Sequence, residues 1–476
     1  MDLNKSILSV FGAEAIGSLI MFVGIAVFAN ILNPEQLGMF FLFRSLVNVF
    51  SFVGDLGVGG ALEKRMSEGE HKSKKFTTAI ILVIPPVLIL LGSILFFESI
   101  ISSYLGKDIT QLLILGSIAE IFNNIVSNTL RGELKVTEVG LLDLFQRLIW
   151  FFGGVLIILC GVQSNPLIYM YITGAGVSGI AGMYIQDTSV SIPSVKTARS
   201  LFQYAKYDIV TGAGSKLYNW FDILVIGAFL SPVAVAAYET AWALSSASIV
   251  LGKAIQTSVF PQFSAWAAEN KNEKIKETLD QMVIGALFLV VPSLFGVVAI
   301  SEELLMYIYG QEYRIAANAL IVLMAVRLIQ AFGQTIGRTL QAIDRPDQAA
   351  YSVTIGGILN ISLNIVMVWR FELLGAAVAT LISYIVVEWM RFYYLRKNMF
   401  VSIPSRKIVW CVFSSGIMLT GLSIIKRFYT ISGIVPLILI VLIGVVFYVG
   451  MIYIHPYFRE VIQSIVSSIM NFTNDK

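Results

Sequence analysis

Long apolar runs, separated by short polar segments, recur along the whole chain. Each run is close to the roughly 20 residues that an α-helix needs to cross the hydrocarbon core of a bilayer. The runs are continuous and do not alternate at every second position, which argues against a transmembrane β-barrel. The pattern therefore predicts an all-α integral membrane protein. Its fourteen predicted transmembrane helices cover residues 7–29, 37–62, 76–98, 108–130, 139–161, 166–187, 205–229, 233–258, 278–300, 313–340, 350–370, 373–395, 407–425 and 433–454.

One segment of this pattern occurs twice. Residues 31–75 combine a short Asn-Pro turn, a long apolar helix and a charged connector, and residues 229–277 repeat this order without a gap. A further apolar helix follows at the same distance in both copies, which is typical of a duplicated membrane bundle. The coinciding or similar positions are Leu32 and Leu230, Pro34 and Pro232, Gly38 and Ala236, Phe40 and Tyr238, Leu46 and Leu244, and Gly54 and Gly252.

The duplication predicts two pseudo-symmetric six-helix lobes. Residues 1–190 form the N-lobe and residues 205–398 the C-lobe, and the polar residues 191–204 form a cytoplasmic linker between them. Residues 405–455 carry helices thirteen and fourteen. Residues 456–476 place apolar and polar side chains on opposite helical faces, which indicates an amphipathic cytoplasmic tail on the inner leaflet.

Composition and charge agree with this membrane assignment. Hydrophobic residues make up 57% of the chain, charged residues 13%, and the mean hydropathy is +0.80. This leaves too little polar surface to cover a soluble globule. Lysine and arginine concentrate on the side that holds the N-terminus, so both termini are predicted to lie in the cytoplasm. The predicted outer side holds Lys107, Arg314, Arg370, Lys426 and Arg427.

The sequence offers little for catalysis or cofactor binding. Cys160 and Cys411 lie inside apolar runs, and His71 and His455 are far apart, so neither a disulfide framework nor a metal cluster is expected. Residues 174–179 contain GxGxxG, but inside a membrane helix and without a preceding strand, which indicates small-residue helix packing. We therefore expect no cofactor, no metal, no nucleic-acid partner and no enzymatic activity.

Polar residues inside the apolar runs fall on single helical faces. A charge at the centre of a lone membrane helix costs about 2.5–3.5 kcal/mol on insertion scales, so each such residue needs a partner or water. The simplest common target is a water-filled cavity between the lobes. The stripes are Arg44, Asn48, Ser51 and Asp55 on the second helix; Ser117, Glu120, Asn124, Asn128 and Arg131 on the fourth; Asp208, Thr211, Ser215, Asn219 and Asp222 on the seventh, with Lys216 beside them; and Arg327, Gln330, Gln334, Arg338 and Gln341 on the tenth.

Two pairs of polar residues favour a structural interpretation. Asp143 and Arg147 stand four positions apart, a spacing that favours a local salt bridge over a ligand site. Asn360 and Asn364 have the spacing and chemistry of hydrogen bonds between helices. Both pairs can still serve a substrate, and the sequence leaves these alternatives open.

Other acidic residues are candidates for coupling or gating. Glu14, Asp222 and Glu239 are possible ion-coupling carboxylates, and Glu14 fits equally well as the counter-ion of a nearby arginine. Asp55 and Lys253 occupy equivalent positions in the two copies, near the predicted cytoplasmic ends. They fit an inter-lobe gate, or side chains that only latch the lobes or reach the interface.

The paired turn-helix segments resemble the polysaccharide-biosynthesis flippases of the multidrug, oligosaccharidyl-lipid and polysaccharide exporter superfamily. The likeness rests on LNPEQLGMF and GDLGVGGALEKRMSEG in the first half and on residues 222–269 in the second. It implies two six-helix lobes around a central cavity that opens alternately to each side of the cell membrane. The last two helices would be attached outside this core.

The resemblance also implies a substrate, a lipid-linked oligosaccharide on an isoprenoid phosphate or diphosphate. Arginine and lysine would bind the phosphates, and amide side chains would bind sugar hydroxyls. The expected partners are this glycan lipid and membrane lipids, with a glycan polymerase, ligase or oligosaccharyltransferase as a further candidate. The candidate substrate-binding residues are Arg44, Arg147, Lys216, Arg327, Asn48, Asn124, Asn219, Gln330 and Gln334.

Three rival functions remain at the level of sequence. A lipid II flippase of the same superfamily also has fourteen helices, but the Ala-Asp-Ala-Phe pattern expected in its second helix is missing here. A cation-coupled multidrug exporter would use Glu14, Asp222 or Glu239, but twelve helices are expected of that class. A membrane-embedded polymerase or transferase would need a large polar outer loop, and the predicted outer loops are short.

Overall fold

The computed structural model describes residues 3–249, 266, 269, 271–343, 345–398, 404–460 and 463. Within these ranges, the side chains of residues 3–11, 207, 210–219, 272, 334, 338, 342 and 398 lie outside the description. The described residues form helices joined by short connections, without a strand among them, which confirms the all-α prediction.

The first half of the chain forms eleven helices and one π-helical segment. In chain order the helices are α1 (Leu3–Ile31), α2 (Pro34–Asp55), α3 (Val58–Ser67), α4 (Lys72–Phe96), α5 (Glu98–Leu105), α6 (Thr110–Gly132), α7 (Val136–Leu148), α8 (Gly154–Leu159), α9 (Pro166–Ile185), α10 (Val195–Phe229) and α11 (Pro232–Ala247). The π-helical segment Ile149–Gly153 joins α7 to α8.

The described residues of the second half form five helices. They are α12 (Asn272–Ile308), α13 (Ala317–Ala342), α14 (Pro346–Asn398), α15 (Ser405–Phe428) and α16 (Ile434–Ile452), with a 3₁₀ turn at Gln311–Ala316 before α13. By length and hydropathy, ten spans among the described residues can cross a membrane, or eleven if α5 and α6, which meet at 96°, form one broken span. The protein is therefore a multi-pass membrane protein.

The predicted span 37–62 is divided in the structure. Leu56 and Gly57 adopt left-handed backbone conformations, with φ of 46° and 73°, which end α2 before α3 begins. Glycine tolerates this conformation because it has no Cβ. Asp55 Oδ1 accepts a hydrogen bond of 2.9 Å from the backbone N–H of Gly59 and so caps the new helix.

Helix α14 is two helices that fold back on each other. The backbone of Glu372 leaves the helical region, with φ 52° and ψ −133°. A Cβ on Gly375 would overlap the carbonyl of Met367, although eight residues of straight helix would separate these positions by roughly 12 Å. The reversal lies between the predicted spans 350–370 and 373–395.

The described contacts divide the chain into two compact units. Unit 1 contains Met1–Glu239 and Val353–Ala379, and unit 2 contains Thr240–Ser352 and Thr380–Lys476. These units are defined by which residues are in contact, whereas the predicted six-helix lobes are defined by the sequence duplication. The six-helix lobes therefore stay a prediction. The tail beyond residue 460 lies outside the description, apart from residue 463.

The polar segment before α10 is bound to unit 1 along its length. The carboxylate of Glu133 accepts hydrogen bonds from the backbone N–H groups of Asp187 and Thr188 and from the Thr188 hydroxyl. Further along, the N–H of Ser191 donates to the Thr77 hydroxyl at 2.9 Å, and Ser194 is held by Thr78 in the same way. Since α10 begins at Val195, the predicted linker 191–204 is mostly helical.

We expect Glu133→Gln to loosen this segment. The amide keeps the shape of the carboxylate but is a weaker acceptor, and a hydrogen bond to a charged group contributes about 1.5–3 kcal/mol. The variant should unfold at a lower temperature and be cleaved faster by protease within residues 187–194. Glu68→Gln is the control, because Glu68 forms only an exposed pair with Arg65. Equal cleavage of both variants would contradict the assignment.

In unit 2 the last two helices dock on α12. Tyr448 of α16 donates to the Phe288 carbonyl at 2.9 Å, and Tyr307 of α12 donates to the Ile431 carbonyl at 2.7 Å. Lys426 of α15 donates to the carbonyl of Ala299 at 2.6 Å, beside a break in α12 at Ile300. A kink in a helix frees backbone carbonyls, and here a lysine satisfies one of them.

Candidate functional site

The polar stripes of α2 and α6 face each other in unit 1. Asn124 of α6 donates to the Ser51 hydroxyl of α2 at 3.1 Å. Arg44 of α2 interacts electrostatically with Glu120 of α6, and Glu120 accepts a hydrogen bond of 3.1 Å from Tyr171 of α9. The two stripes therefore belong to one partly buried polar cluster, as expected if they share a target.

Helices α1 and α7 add further charges to this cluster. Asp143 interacts electrostatically with Arg147 on its own helix and with Glu14 of α1. The predicted local salt bridge is wrong, because no ion pair within 4.0 Å joins the described side chains of Asp143 and Arg147. Instead the Arg147 guanidinium lies on Gly17 of α1, where an added Cβ would be 2.6 Å from Nη1.

Two arginines of this cluster have uncommitted donors. Arg44 and Arg147 are both half-buried inside apolar spans. Among the described residues neither donates a hydrogen bond, and neither has a carboxylate within 4.0 Å. Guanidinium groups bind phosphate and carboxylate through paired N–H donors. The pair can therefore serve an anionic ligand without first breaking an ion pair.

The amide of Asn48 is already used within α2. Its Nδ2 donates to the Arg44 carbonyl at 2.7 Å, so this residue is partly engaged in local backbone bonding. Asn123 of α6, which lies outside the predicted polar stripes, donates to Gln146 of α7 at 3.2 Å. The cluster thus uses amide groups to join neighbouring helices as well as to present polar surface.

A second buried cluster in unit 1 surrounds Asp222. This carboxylate is 3% exposed; one oxygen accepts from Asn364 Nδ2 at 2.8 Å and the other from the Tyr238 hydroxyl at 3.1 Å. Asn364 also donates to the Asn360 carbonyl at 3.1 Å. The Oδ1 of Asn364 is buried and accepts no hydrogen bond from a described residue. Asn364 thus forms the hydrogen bond between helices that its spacing and chemistry indicated. It joins α14 to α10, and its partner is the acidic residue Asp222.

In unit 2, Arg327 of α13 is 2% exposed and held by α11. Its Nε donates to the Ser245 hydroxyl at 3.0 Å and its Nη2 to the Ser246 hydroxyl at 2.7 Å. The guanidinium stacks on the Trp242 ring at 3.9 Å from the centroid, which adds a cation–π attraction. Nη1 donates to Gln330 at 2.9 Å. These described acceptors are neutral oxygens.

The remaining candidates are placed less fully. Glu239 is half-buried on α11, and Asp55 caps α3 as described above. The structure describes the helical backbone at Lys216, Asn219 and Gln334 but not their side chains. Lys253 lies outside the described residues. The proposed gate between Asp55 and Lys253 therefore stays a prediction.

Sequence reasoning missed the residues that hold these charges. Tyr171, Tyr238, Trp242, Ser245 and Ser246 are uncharged, and their types are common in membrane helices for packing alone. One signal was available for Tyr238, because it occupies the position of Phe40 in the other copy and adds a hydroxyl there. The serines and the tryptophan carried no comparable signal.

Comparisons with known proteins give consistent results. Residues 27–318 match the family described as "Polysaccharide biosynthesis protein", and residues 193–454 match the family "Lipid II flippase MurJ". A relative from Haloferax volcanii, "Probable low-salt glycan biosynthesis flippase Agl15", is 34% identical over 97% of this chain and 98% of its own. A second Haloferax volcanii protein, "Probable flippase AglR", is 28% identical over 94% of this chain and 95% of its own.

Among solved structures, the fold matches "Lipid II flippase MurJ, inward closed conformation". The match has a TM-score of 0.78 and covers 95% of this chain and 99% of the other. Sequence identity is 19%, so this likeness concerns the fold alone.

Proposed function

The chain belongs to the polysaccharide-biosynthesis flippases of the multidrug, oligosaccharidyl-lipid and polysaccharide exporter superfamily, and from this membership we propose that it carries lipid-linked oligosaccharides across the cytoplasmic membrane. Its cargo would be a glycan on an isoprenoid phosphate or diphosphate. A polymerase, ligase or oligosaccharyltransferase would then use the product for surface polysaccharide or glycoprotein. The observation that carries the proposal is the full-length similarity to a protein named as a glycan biosynthesis flippase.

The uncommitted arginines of unit 1 support an anionic head group. Arg44 and Arg147 offer donors inside the membrane spans, and charge-assisted hydrogen bonds to phosphate are about twice as strong as neutral ones. Arg327 in unit 2 is a further proposed phosphate ligand, because guanidinium groups bind phosphate through paired N–H donors. Lys216, Asn124, Gln330 and the other predicted amides complete the proposed set.

The proposed topology has fourteen membrane helices with both termini in the cytoplasm. The bent pair α5–α6 supplies one helix, and α14 supplies two because it reverses at Glu372. Helices α10 and α11 supply two more; α10 begins at Val195, ten residues before the predicted span, and α11 begins at Pro232, one residue before it. Together with the other apolar spans they support the predicted number of helices.

Removing the arginines tests the cargo assignment. We expect Arg44→Ala, Arg147→Ala and Arg327→Ala each to weaken substrate binding tenfold or more, since one hydrogen bond to a charged group contributes about 1.5–3 kcal/mol. The measurement is the amount of surface glycan in cells that depend on the variant, normalised to protein in the membrane. Arg314→Ala is the control, because Arg314 forms only an exposed pair with Glu302. Normal glycan in all three variants would refute the assignment.

Lipid II transport is the second candidate, favoured by the match of residues 193–454 to that flippase family. Both cargoes are glycan lipids with a phosphate-containing head group, so the arginine variants do not separate them. A competition experiment separates the two cargoes. If the glycan assignment holds, an excess of lipid II should not slow transport of a lipid-linked oligosaccharide.

A further inference from the structure

Unit 2 contains a buried carboxylate with only half of its hydrogen bonds made. Glu388, in the second half of α14, is 4% exposed and lies within an apolar span. Its Oε1 accepts a hydrogen bond of 2.8 Å from Nη1 of Arg391. Its Oε2 is also buried but accepts no hydrogen bond from any residue that the structure describes. The Nε of Arg391 is buried as well, and among the described residues it has no acceptor.

The neighbouring helix is shaped to receive this pair. A Cβ on Gly333 of α13 would overlap the Glu388 carboxyl group, including Oε2. One turn later, a Cβ on Gly337 would lie 3.2 Å from Cζ of Arg391. Small residues four apart on a membrane helix allow close approach of a partner helix. Here the space they leave is filled by an ion pair.

The same two helices connect Glu388 to the buried arginine. Gln330 accepts from Arg327 at 2.9 Å, and its own amide nitrogen lies 3.5 Å from the hydroxyl of Tyr384. Tyr384 and Glu388 are four residues apart and therefore lie on one face of α14. Polar groups thus line these two helices between Arg327 and Glu388, with hydrogen bonds from Arg327 to Gln330 and from Gln330 to Tyr384.

Two opposing influences act on the Glu388 proton. An ionised carboxylate oxygen without a donor is costly in a low-dielectric interior, and protonation removes that charge. Arg391 on the same helix favours the ionised form and is the charged group that interacts with it among the described side chains. Helix α13 presents glycine at this point, and its Arg327 lies nearly two turns away.

We propose that Glu388 is a proton-binding site whose protonation is coupled to the anion held at Arg327. A proton from the aqueous phase binds Oε2, and the neutral acid releases Arg391 from its ion pair. Tyr384 and Gln330 transmit this change to Arg327, where the phosphate of the cargo would bind. The coupling rests on the proposed function, whereas the proton site itself does not.

Infrared difference spectroscopy on the purified full-length protein tests the proton site. Lowering the pH should produce, in the wild type, the high-frequency carbonyl band of a protonated carboxylic acid that is shielded from water. Glu388→Gln keeps the shape that packs on Gly333 and should remove this band, and Glu302→Gln, an exposed control, should retain it. A titrating band of equal size in Glu388→Gln, or none in the wild type, would overturn the proposal.

Transport in liposomes tests the coupling, with a fluorescent polyprenyl-phosphate-linked hexose as the probe. The wild-type rate should change with an imposed pH gradient, and the Glu388→Gln rate should not. If the wild type fails to move the probe, the proposed function fails while the infrared result still decides the proton site. If Glu388→Gln loses the band but keeps the wild-type response to the gradient, the coupling is refuted.

Discussion

Replacing Gly38 with valine is expected to abolish transport while leaving the protein in the membrane. A Cβ on Gly38 would overlap the carbonyl oxygen of Pro232 and lie 2.5 Å from its carbonyl carbon. Both obstacles are backbone atoms, which cannot rotate away as a side chain can. Pro34 and Pro232 begin α2 and α11, the equivalent helices of the two copies, so the contact joins the duplicated turns. Overpacking costs about 1–3 kcal/mol even where the structure adjusts.

The matched control for this variant is Gly176→Val. Gly176 lies on α9, and an added Cβ there meets nothing within 4 Å. Both substitutions therefore place a β-branched residue in a membrane helix, and only Gly38→Val disturbs the contact with Pro232. The measurement is the rate of probe translocation in liposomes at equal protein content. A wild-type rate for Gly38→Val would show that this contact has no part in transport.

Replacing Asp222 with asparagine is expected to remove cation binding at the cluster around Asp222. Asparagine keeps the size of the side chain but removes the charge that Asn364 and Tyr238 stabilise through two hydrogen bonds. A negative charge among oxygen ligands attracts a hard cation such as sodium, so removing the charge should weaken cation binding tenfold or more, which corresponds to about 1.4 kcal/mol. The buried Oδ1 of Asn364 is a further hard oxygen ligand nearby.

Thermal unfolding of the purified protein measures this binding. A cation that binds only the folded state raises the unfolding temperature in proportion to the logarithm of its concentration. The wild type should be stabilised by sodium, and Asp222→Asn should not. Asp108→Asn, in an exposed loop, should behave as the wild type. Equal stabilisation of Asp222→Asn would remove Asp222 from the cation site.

The sequence predicted the helical class and most span positions because a bilayer imposes long apolar helices on any chain that crosses it. The reversal at Glu372 was predictable as well, since Arg370 and Glu372 interrupt the apolar run. The break at Leu56 was not predicted, although Asp55 and the glycines at positions 54, 57, 59 and 60 surround it, and glycine often marks a break in a helix.

Side-chain partners were harder to predict than side-chain locations. The stripe on α13 drew attention to Arg327, but the serines that hold it come from α11, and no spacing rule connects the two helices. The spacing of Asp143 and Arg147 allowed a salt bridge, yet Arg147 packs on Gly17 of another helix. Helical periodicity gives the face on which a residue lies, and tertiary packing decides what it meets.

Translocation of a fluorescent lipid-linked oligosaccharide in liposomes tests the central claim most directly. A membrane-impermeant quencher is added outside, where it reaches only label in the outer leaflet. With the wild-type protein, labelled lipid should move from the inner to the outer leaflet, so that its label is gradually quenched. With Arg327→Ala, only the label that was in the outer leaflet at the start should be quenched. Quenching limited to the outer leaflet with the wild-type protein, under either an imposed sodium or proton gradient, would contradict the assignment of this protein as a glycan-lipid flippase.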